Sequence, residues 1–230
     1  MELRAKLIEL PVLQHNAQDA LHRVSRDVPN AKILDFGCGW GFFLEVAKSN
    51  GWSCYGLEPL PGHSAYARSK FGLEILTGTL KDDSFPENHF DVITAFQVFE
   101  HLPDPAAVIR QLWKIQKADG LILIEVPNID TWSVKLLRKH HRHFNPDHIN
   151  FFSAQTIKLF LENNGYMLIE TYFPTRYMTI YHLLDYWFRR IFRSRMANLL
   201  NQAILQRVPP DKQIGINLGD ILGVVARKSI

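Results

Sequence analysis

Two groups of residues have types and spacing that could do chemistry. In Ile33-Leu34-Asp35-Phe36-Gly37-Cys38-Gly39-Trp40-Gly41, three glycines alternate with other residues, and a carboxylate stands two positions before the first of them. Such glycines let the backbone turn sharply and approach a ligand closely, while a following helix aims unpaired amides at the same place. The dinucleotide fingerprint needs a further glycine at position 42, which is Phe42, so NAD or FAD is disfavoured and a nucleotide-dependent oxidoreductase is the weaker alternative. Asp35 would also repel a diphosphate; a cationic ligand suits it better. Glu58, 17 residues past Gly41, falls where a carboxylate accepts hydrogen bonds from the two hydroxyls of a ribose.

The second group is histidine-centred. His101 follows Glu100, and His148 lies in Asn145-Pro146-Asp147-His148-Ile149-Asn150-Phe151-Phe152. Either imidazole can act as a base toward a hydroxyl, and Glu100 with His101 can equally cap and orient a loop. His140, His141 and His143 stand beside Lys135, Arg138, Lys139 and Arg142. That cluster either binds a phosphate or carboxylate or is a solvated basic loop, and the solvated reading is favoured for His140 and His141.

The elements that must position these residues follow from hydrophobic period and turn chemistry. Residues 1–26 read as helical. Strands are expected at 31–36, 52–57, 74–76, 90–96, 121–126, 166–172 and 220–227, and helices at 42–49, 62–71, 104–118 and 153–164. Asp104 and Pro105 form an N-cap and first-turn proline, and Gly72, Gly120 and Gly165 are stop signals. Strands alternating with helices imply an α/β fold: a Rossmann-like, doubly wound, mainly parallel seven-stranded sheet with a helical insertion before the last strand. Ligands of such sheets bind at the carboxyl ends of the strands.

A chain of 230 residues, 47% hydrophobic and 21% charged, can bury one large core. The expected organisation is one domain, with N-terminal helices at 1–29, a core at 30–172 and 216–230, and a helical insertion or lid at 173–215. A net charge of +3 is too small for wholesale nucleic-acid binding. Cys38 and Cys54 form no metal or disulfide framework, and no apolar stretch resembles a signal peptide or a spanning helix, so a cytoplasmic location is expected. The positive excess sits in the insertion, where Arg176, Arg189, Arg190, Arg193, Arg195 and Arg207 face only Asp185. Leu184, Trp187, Phe188, Ile191 and Phe192 recur there at helical spacing. Such a segment packs on the sheet, closes over an apolar substrate, or makes peripheral membrane contact through 183–208.

Four segments, Ile33 to Ala47, Gly56 to Pro59, Phe85 to Ile93 and Phe99 to Pro105, resemble in order and spacing the motifs of class I S-adenosylmethionine-dependent methyltransferases, most like the group containing the ubiquinone-biosynthesis O-methyltransferases. The likeness spans roughly residues 30–172 and the last strand. It implies S-adenosyl-L-methionine as cofactor, S-adenosylhomocysteine as product, and methyl transfer, foremost at oxygen, to a small-molecule, lipid-linked or sugar acceptor. By the resemblance, Asp35 and the Gly37–Gly41 loop face the methionine part, so that Asp35, Phe36, Gly37, Cys38, Gly39, Gly41 and Phe42 bind cofactor. Glu58, followed by Pro59, holds the ribose; Thr79 and Leu80 lie beside the adenine; Phe96, Gln97 and Val98 pass beneath the sulfonium; His101 and His148 serve the acceptor. Thr79 replaces a residue that is usually acidic. Some relatives bind a divalent metal through Glu-x-x-Glu-His; here Gln97 takes the place of the first carboxylate, so a hard cation loses a charged ligand and no metal is assigned. The departures at Thr79 and Gln97 motivate an alternative, a cofactor-binding or membrane-docking module without catalysis. RNA methylation is a further alternative that the modest charge and the absence of an added RNA-binding domain argue against.

Overall fold

A computed structural model describes residues 10–25, 31–138, 141–180 and 212–229. Its contacts divide into two compact units, Ala17–Pro174 with Leu218–Ile230, and Met1–Asn16 with Thr175–Asn217.

The larger unit is organised by β1 (Lys32–Phe36), whose side chains alternate between two faces. Ile33 enters one core and Leu34 the other, both fully buried. A strand covered on both faces must be apolar throughout, which is why the buried Asp35 at its carboxyl end stands out. On either side run β2 (Ser53–Glu58) and β4 (Phe90–Phe96), both parallel to β1, with Asp35 level with Gly56 and with Thr94. With β3 (Glu74–Thr77), β5 (Gln116–Pro127), β6 (Tyr166–Tyr172) and β9 (Ile221–Lys228) the sheet has seven strands in the order β3-β2-β1-β4-β5-β9-β6. β9 is antiparallel to both neighbours, and β3, β2, β1, β4 and β5 are parallel. This is the doubly wound, mainly parallel architecture expected.

The connecting helices bury one face each. α1 (Leu10–Ser25) contributes Ala17, Ala20, Leu21 and Val24, at helical spacing, to the first core beside Leu44 and Ala47 of α2 (Phe42–Ser49). α4 (Pro105–Ile115) and α6 (Ala154–Glu162) give Ile109, Leu112, Ile157 and Leu161 to the second. Each of the valine, leucine and isoleucine side chains contributes roughly 1.5–3 kcal/mol on burial. Asp104 caps α4 by accepting from the Ala107 amide at 2.8 Å, and Ser153 with Thr156 forms a reciprocal cap on α6. α3 (Pro61–Phe71) stops at Gly72, φ 59°. α4 ends earlier than its expected limit near Ala118, because Gln116 already pairs with Phe90 as the first residue of β5. α5 (Trp132–Leu137) follows β5.

In the smaller unit, β7 (Arg176–Thr179) and β8 (Gln213–Ile216) form an antiparallel pair, and the His15 ring lies 3.7 Å from that of Tyr177. The insertion expected to be helical thus begins and ends in strands, Arg176 lying on β7. Leu184, Asp185, Trp187, Phe188, Arg189, Arg190, Ile191, Phe192, Arg193, Arg195 and Arg207 lie outside the described residues, as do Lys139 and His140. Among the described residues no helix is long and apolar enough to cross a membrane.

Candidate active site

At the carboxyl end of β1 the chain reverses through Gly37, Gly39 and Gly41, all at positive φ (81°, 53° and 80°). The turn is tied to β2 by the amides of Gly37 and Cys38, which donate to the Leu57 carbonyl at 2.8 and 3.2 Å. A side chain at Gly37 would meet Val98 at 2.5 Å, so the tail of β4 lies against the turn; at Gly39 nothing stands within 4 Å. The backbone at Gly39 therefore faces open space, as a close-approach position for a ligand requires.

Two acids serve this turn. Glu58, at the end of β2, is buried, yet its carboxylate accepts from the Gly39 amide on Oε2 and from the Leu60 amide on Oε1, each at 2.9 Å. One lone pair on each oxygen is left, the arrangement a vicinal diol needs. Asp35, 2% exposed, accepts from the Thr94 hydroxyl at 2.8 Å. Burial pushes its carboxyl up to about 7; the Thr94 hydrogen bond opposes that and the neighbouring Glu58 charge adds to it. An acid so placed gains most from a cation arriving beside it. Burial also raises the Cys38 thiol, which keeps it an inert wall rather than a nucleophile.

The other expected contacts are distributed around the same edge. Phe36 is buried, and Phe96 packs its ring on Phe43 at 4.8 Å. The Phe42 ring is engaged with Tyr66 and Phe71, leaving its backbone at the start of α2 to face a ligand. Pro59 and Thr79 are exposed, and Leu80 packs against the second core just after Gly78, whose amide donates to the Glu58 carbonyl at 3.0 Å. Gln97 has φ 56°, strained for a residue with a side chain, and its Nε2 is buried without a hydrogen-bond partner among the described residues.

The turn Phe99–His101 carries the second constellation. The loop 145–150 docks on it: the Ile149 and Asn150 amides donate to the Glu100 carbonyl at 2.9 and 3.0 Å, and the Asn150 side chain donates to the carbonyls of Phe99 and Leu102. That docking brings the rings of His101 and His148 to 4.8 Å. His101 Nδ1 lies 2.7 Å from the Asp147 carbonyl and His148 Nδ1 2.9 Å from the His143 carbonyl. A carbonyl only accepts, so each Nδ1 holds the proton and each neutral ring keeps its Nε2 lone pair for another partner. The Glu100 carboxylate is buried at 1% exposure, and its oxygen lies 4.0 Å from His101 Nε2. One ligand atom from each of Glu100, His101 and His148 falls within 4.8 Å of the others. Two imidazoles fixed through Nδ1–H to carbonyls, with one carboxylate, are donors of the kind that borderline divalent ions take. Burial and the nearby His101 hold His148 below its ordinary value, partly offset by the His143 carbonyl; it stays neutral and able to take a proton near neutrality.

The histidine cluster corrects one expectation. His141 is buried rather than solvated, with Nε2 3.3 Å from Ser133 Oγ. His143 is buried too and donates from Nε2 to the Asp220 carbonyl at 2.8 Å; burial first, then Arg142, lowers it to about 4. Arg142 pairs with Asp220. These groups build the loop that carries His148.

Sequence reasoning missed Thr94, which orients Asp35; His63, beside Glu58, and Trp40, on which its ring stacks; and Glu125, a buried acid on β5 that accepts from the Tyr172 hydroxyl at 3.1 Å. Only the alternation of β4, which turns Thr94 toward the same side as Asp35, carried a signal.

A family model for a methyltransferase domain matches residues 12–171. A probable S-adenosylmethionine-dependent methyltransferase of Mycolicibacterium smegmatis is 25% identical over 150 residues, covering 65% of this chain and 57% of that protein. The ubiquinone biosynthesis O-methyltransferase of Yersinia enterocolitica is 32% identical over 128 residues, half of each chain (50% and 50%). The chain spans about half the length of the curated relatives it matches. A SAM-dependent methyltransferase from Archaeoglobus fulgidus has the same fold, with TM-score 0.60, 19% identity, and 92% and 94% of the two chains covered.

Proposed function

The chain belongs to the methyltransferase-domain family, with S-adenosyl-L-methionine as its cofactor, and from that premise we propose that it methylates an oxygen of a small, lipid-linked or sugar acceptor at the carboxyl edge of β1, β2 and β4. The observation that carries the oxygen assignment is the paired His101 and His148, whose Nε2 atoms are left free by the carbonyls holding Nδ1. The ubiquinone O-methyltransferase relatives support it at low identity.

The bound cofactor supplies a methyl carbon activated by a sulfonium. In this reading Glu58 takes the ribose hydroxyls and Gly39 lets the backbone close on the ligand. Asp35 gives its charge to the cationic end. Transfer is an in-line displacement in which an acceptor oxygen forms the new C–O bond as the C–S bond breaks, so positioning does most of the work. His101 Nε2 takes the hydroxyl proton while the Asp147 carbonyl holds its Nδ1–H; His148, kept neutral beside it, packs edge-on against the imidazole and fixes its position. Gln97, whose Nε2 has no partner among the described residues, lies under the sulfonium end in this reading.

The test is methyl transfer from labelled cofactor to a panel of phenolic and sugar hydroxyls. Wild type transfers label, and His101→Ala loses about 10²-fold or more in kcat while S-adenosylhomocysteine affinity is kept. Undiminished turnover in both His101→Ala and His148→Ala refutes the base assignment. The Glu100–His101–His148 grouping favours a second reading, in which a divalent ion there lowers the acidity barrier of the acceptor hydroxyl. Zinc or magnesium calorimetry on wild type and Glu100→Gln separates the two, since the metal reading requires binding that the variant loses. Peripheral membrane contact through 183–208 remains part of the proposal for a lipid-linked acceptor, tested by sedimentation with anionic vesicles.

A further inference from the structure

The first turn of α3 places a histidine against the acid proposed to hold the ribose. His63 Nδ1 lies 3.7 Å from Glu58 Oε1, and its ring stacks on the Trp40 indole with centroids 4.0 Å apart and planes at 36°. Tyr66 closes edge-on against Trp40 at 5.4 Å. Trp40 sits in the glycine turn directly after Gly39, whose amide donates to the other oxygen of Glu58. The imidazole is thus held by an aromatic wall at the carboxylate, and its side chain is only 18% exposed.

Leu60 takes one site on Oε1 and Gly39 one on Oε2, leaving two sites for two hydroxyls. An imidazolium drawn in from 3.7 Å takes one of those two sites with a charge-assisted bond, and a neutral imidazole has no such pull. The same wall contains the indole Nε1–H of Trp40, which is buried and has no partner among the described residues. Such a donor costs stability unless something satisfies it, which agrees with a wall shaped for a ligand rather than for the free protein.

We propose that His63, clamped by Trp40, is a competing counter-ion for Glu58, so that affinity for the adenosyl cofactor falls when the imidazole is protonated. His63 acts through Glu58 and is a positioning residue. The proposal rests on the assignment of Glu58 to the ribose. The ionisable group against His63 is Glu58 from β2; Tyr66, on the same helix as His63, contacts the Trp40 ring that His63 stacks on, and Asp35 interacts with Glu58 electrostatically. Asp35 gains its own proton toward neutrality and adds a pH response common to all variants at position 63, so the comparison between variants isolates His63.

The experiment is S-adenosylhomocysteine calorimetry on the full chain at about pH 8 and about pH 5.5, for wild type and His63→Phe, which keeps a ring on Trp40 and removes the charge. Wild type loses at least about five-fold more affinity between the two pH values than the variant does, the lower end of ordinary site–site coupling. Equal losses overturn the proposal. Failure of the Glu58 reading looks different: Glu58→Gln then binds like wild type at both pH values. Should His63→Phe fold poorly, the reciprocal measurement stands in for it. Proton NMR of the His63 ring in wild type must show its titration midpoint moving to lower pH when S-adenosylhomocysteine is bound. An unmoved midpoint overturns the proposal equally.

Discussion

Asp35→Asn should make the protein more stable and less able to bind its cofactor. Burial raises the Asp35 carboxyl from the ordinary 3.8 to about 7. The native state therefore holds a proton there that the unfolded chain releases. For an acid shifted upward, folding bears no charge-burial cost below the unfolded value, an increasing cost between pH 4 and 7, and the full cost above. At about 1.4 kcal/mol per pH unit, that full cost is on the order of 4 kcal/mol at pH 8. Asparagine keeps the oxygen that accepts from Thr94 but brings an amide whose two donors are new to the site, at roughly 1–3 kcal/mol. The net gain at pH 8 is then about 1–3 kcal/mol, or about 2–10 °C in Tm for a chain of this size. At pH 4 the gain vanishes or reverses. Urea denaturation of both proteins at the two pH values measures it. The reasoning is refuted if the variant is less stable at pH 8, or if the difference does not depend on pH. Cofactor binding should weaken at least about ten-fold in the same variant if, as proposed, the carboxylate faces the cationic end of the cofactor.

Gly37→Ala places a methyl 2.5 Å from Val98 at φ 81° and should cost about 1–3 kcal/mol by thermal unfolding. Gly39→Ala meets no atom within 4 Å, so it should cost about 1 kcal/mol of backbone strain while weakening S-adenosylhomocysteine binding by a larger factor than it weakens the fold. His143, held neutral by burial down to about pH 4, makes the fold acid-labile: the unfolded chain takes up a proton below its ordinary value near 6.5 that the native state refuses. His143→Gln, which keeps a donor for the Asp220 carbonyl, should flatten the loss of stability from pH 6.5 to 4, read by fluorescence-detected acid unfolding.

The parts legible in the sequence are those fixed by local period. β4 at 90–96, α2 at 42–49 and β6 at 166–172 were read to the residue, because apolar runs and flanking glycines act over a few positions. The end of α4 was misplaced because Gln116-Lys117-Ala118-Asp119-Gly120 is polar and turn-like, yet Phe90 recruits Gln116 into the sheet across a bulge. Tertiary pairing overrode local preference there. In the site, Asp35, Gly37 and Glu58 come together over a short range, strand end to strand end. His148 does not announce itself to His101 by any spacing. The side chain of Asn150, donating to two carbonyls of the 99–102 turn, makes that pair. His141 and His143 looked solvated or ligand-binding beside their basic neighbours, and their burial depends on Ser133 and on the Asp220 carbonyl, 77 residues away from His143.

The proposed cofactor site turns above all on Glu58 as the grip on the adenosyl ribose at the glycine turn. Calorimetry of S-adenosylhomocysteine with wild type and Glu58→Ala at about pH 8, each checked for fold by circular dichroism, tests it directly. One molecule should bind per chain, and the alanine variant should lose about 10²-fold or more in affinity, the worth of two hydrogen bonds to a charged acceptor. Folded wild type that takes up no ligand, or a variant with undiminished affinity, contradicts it.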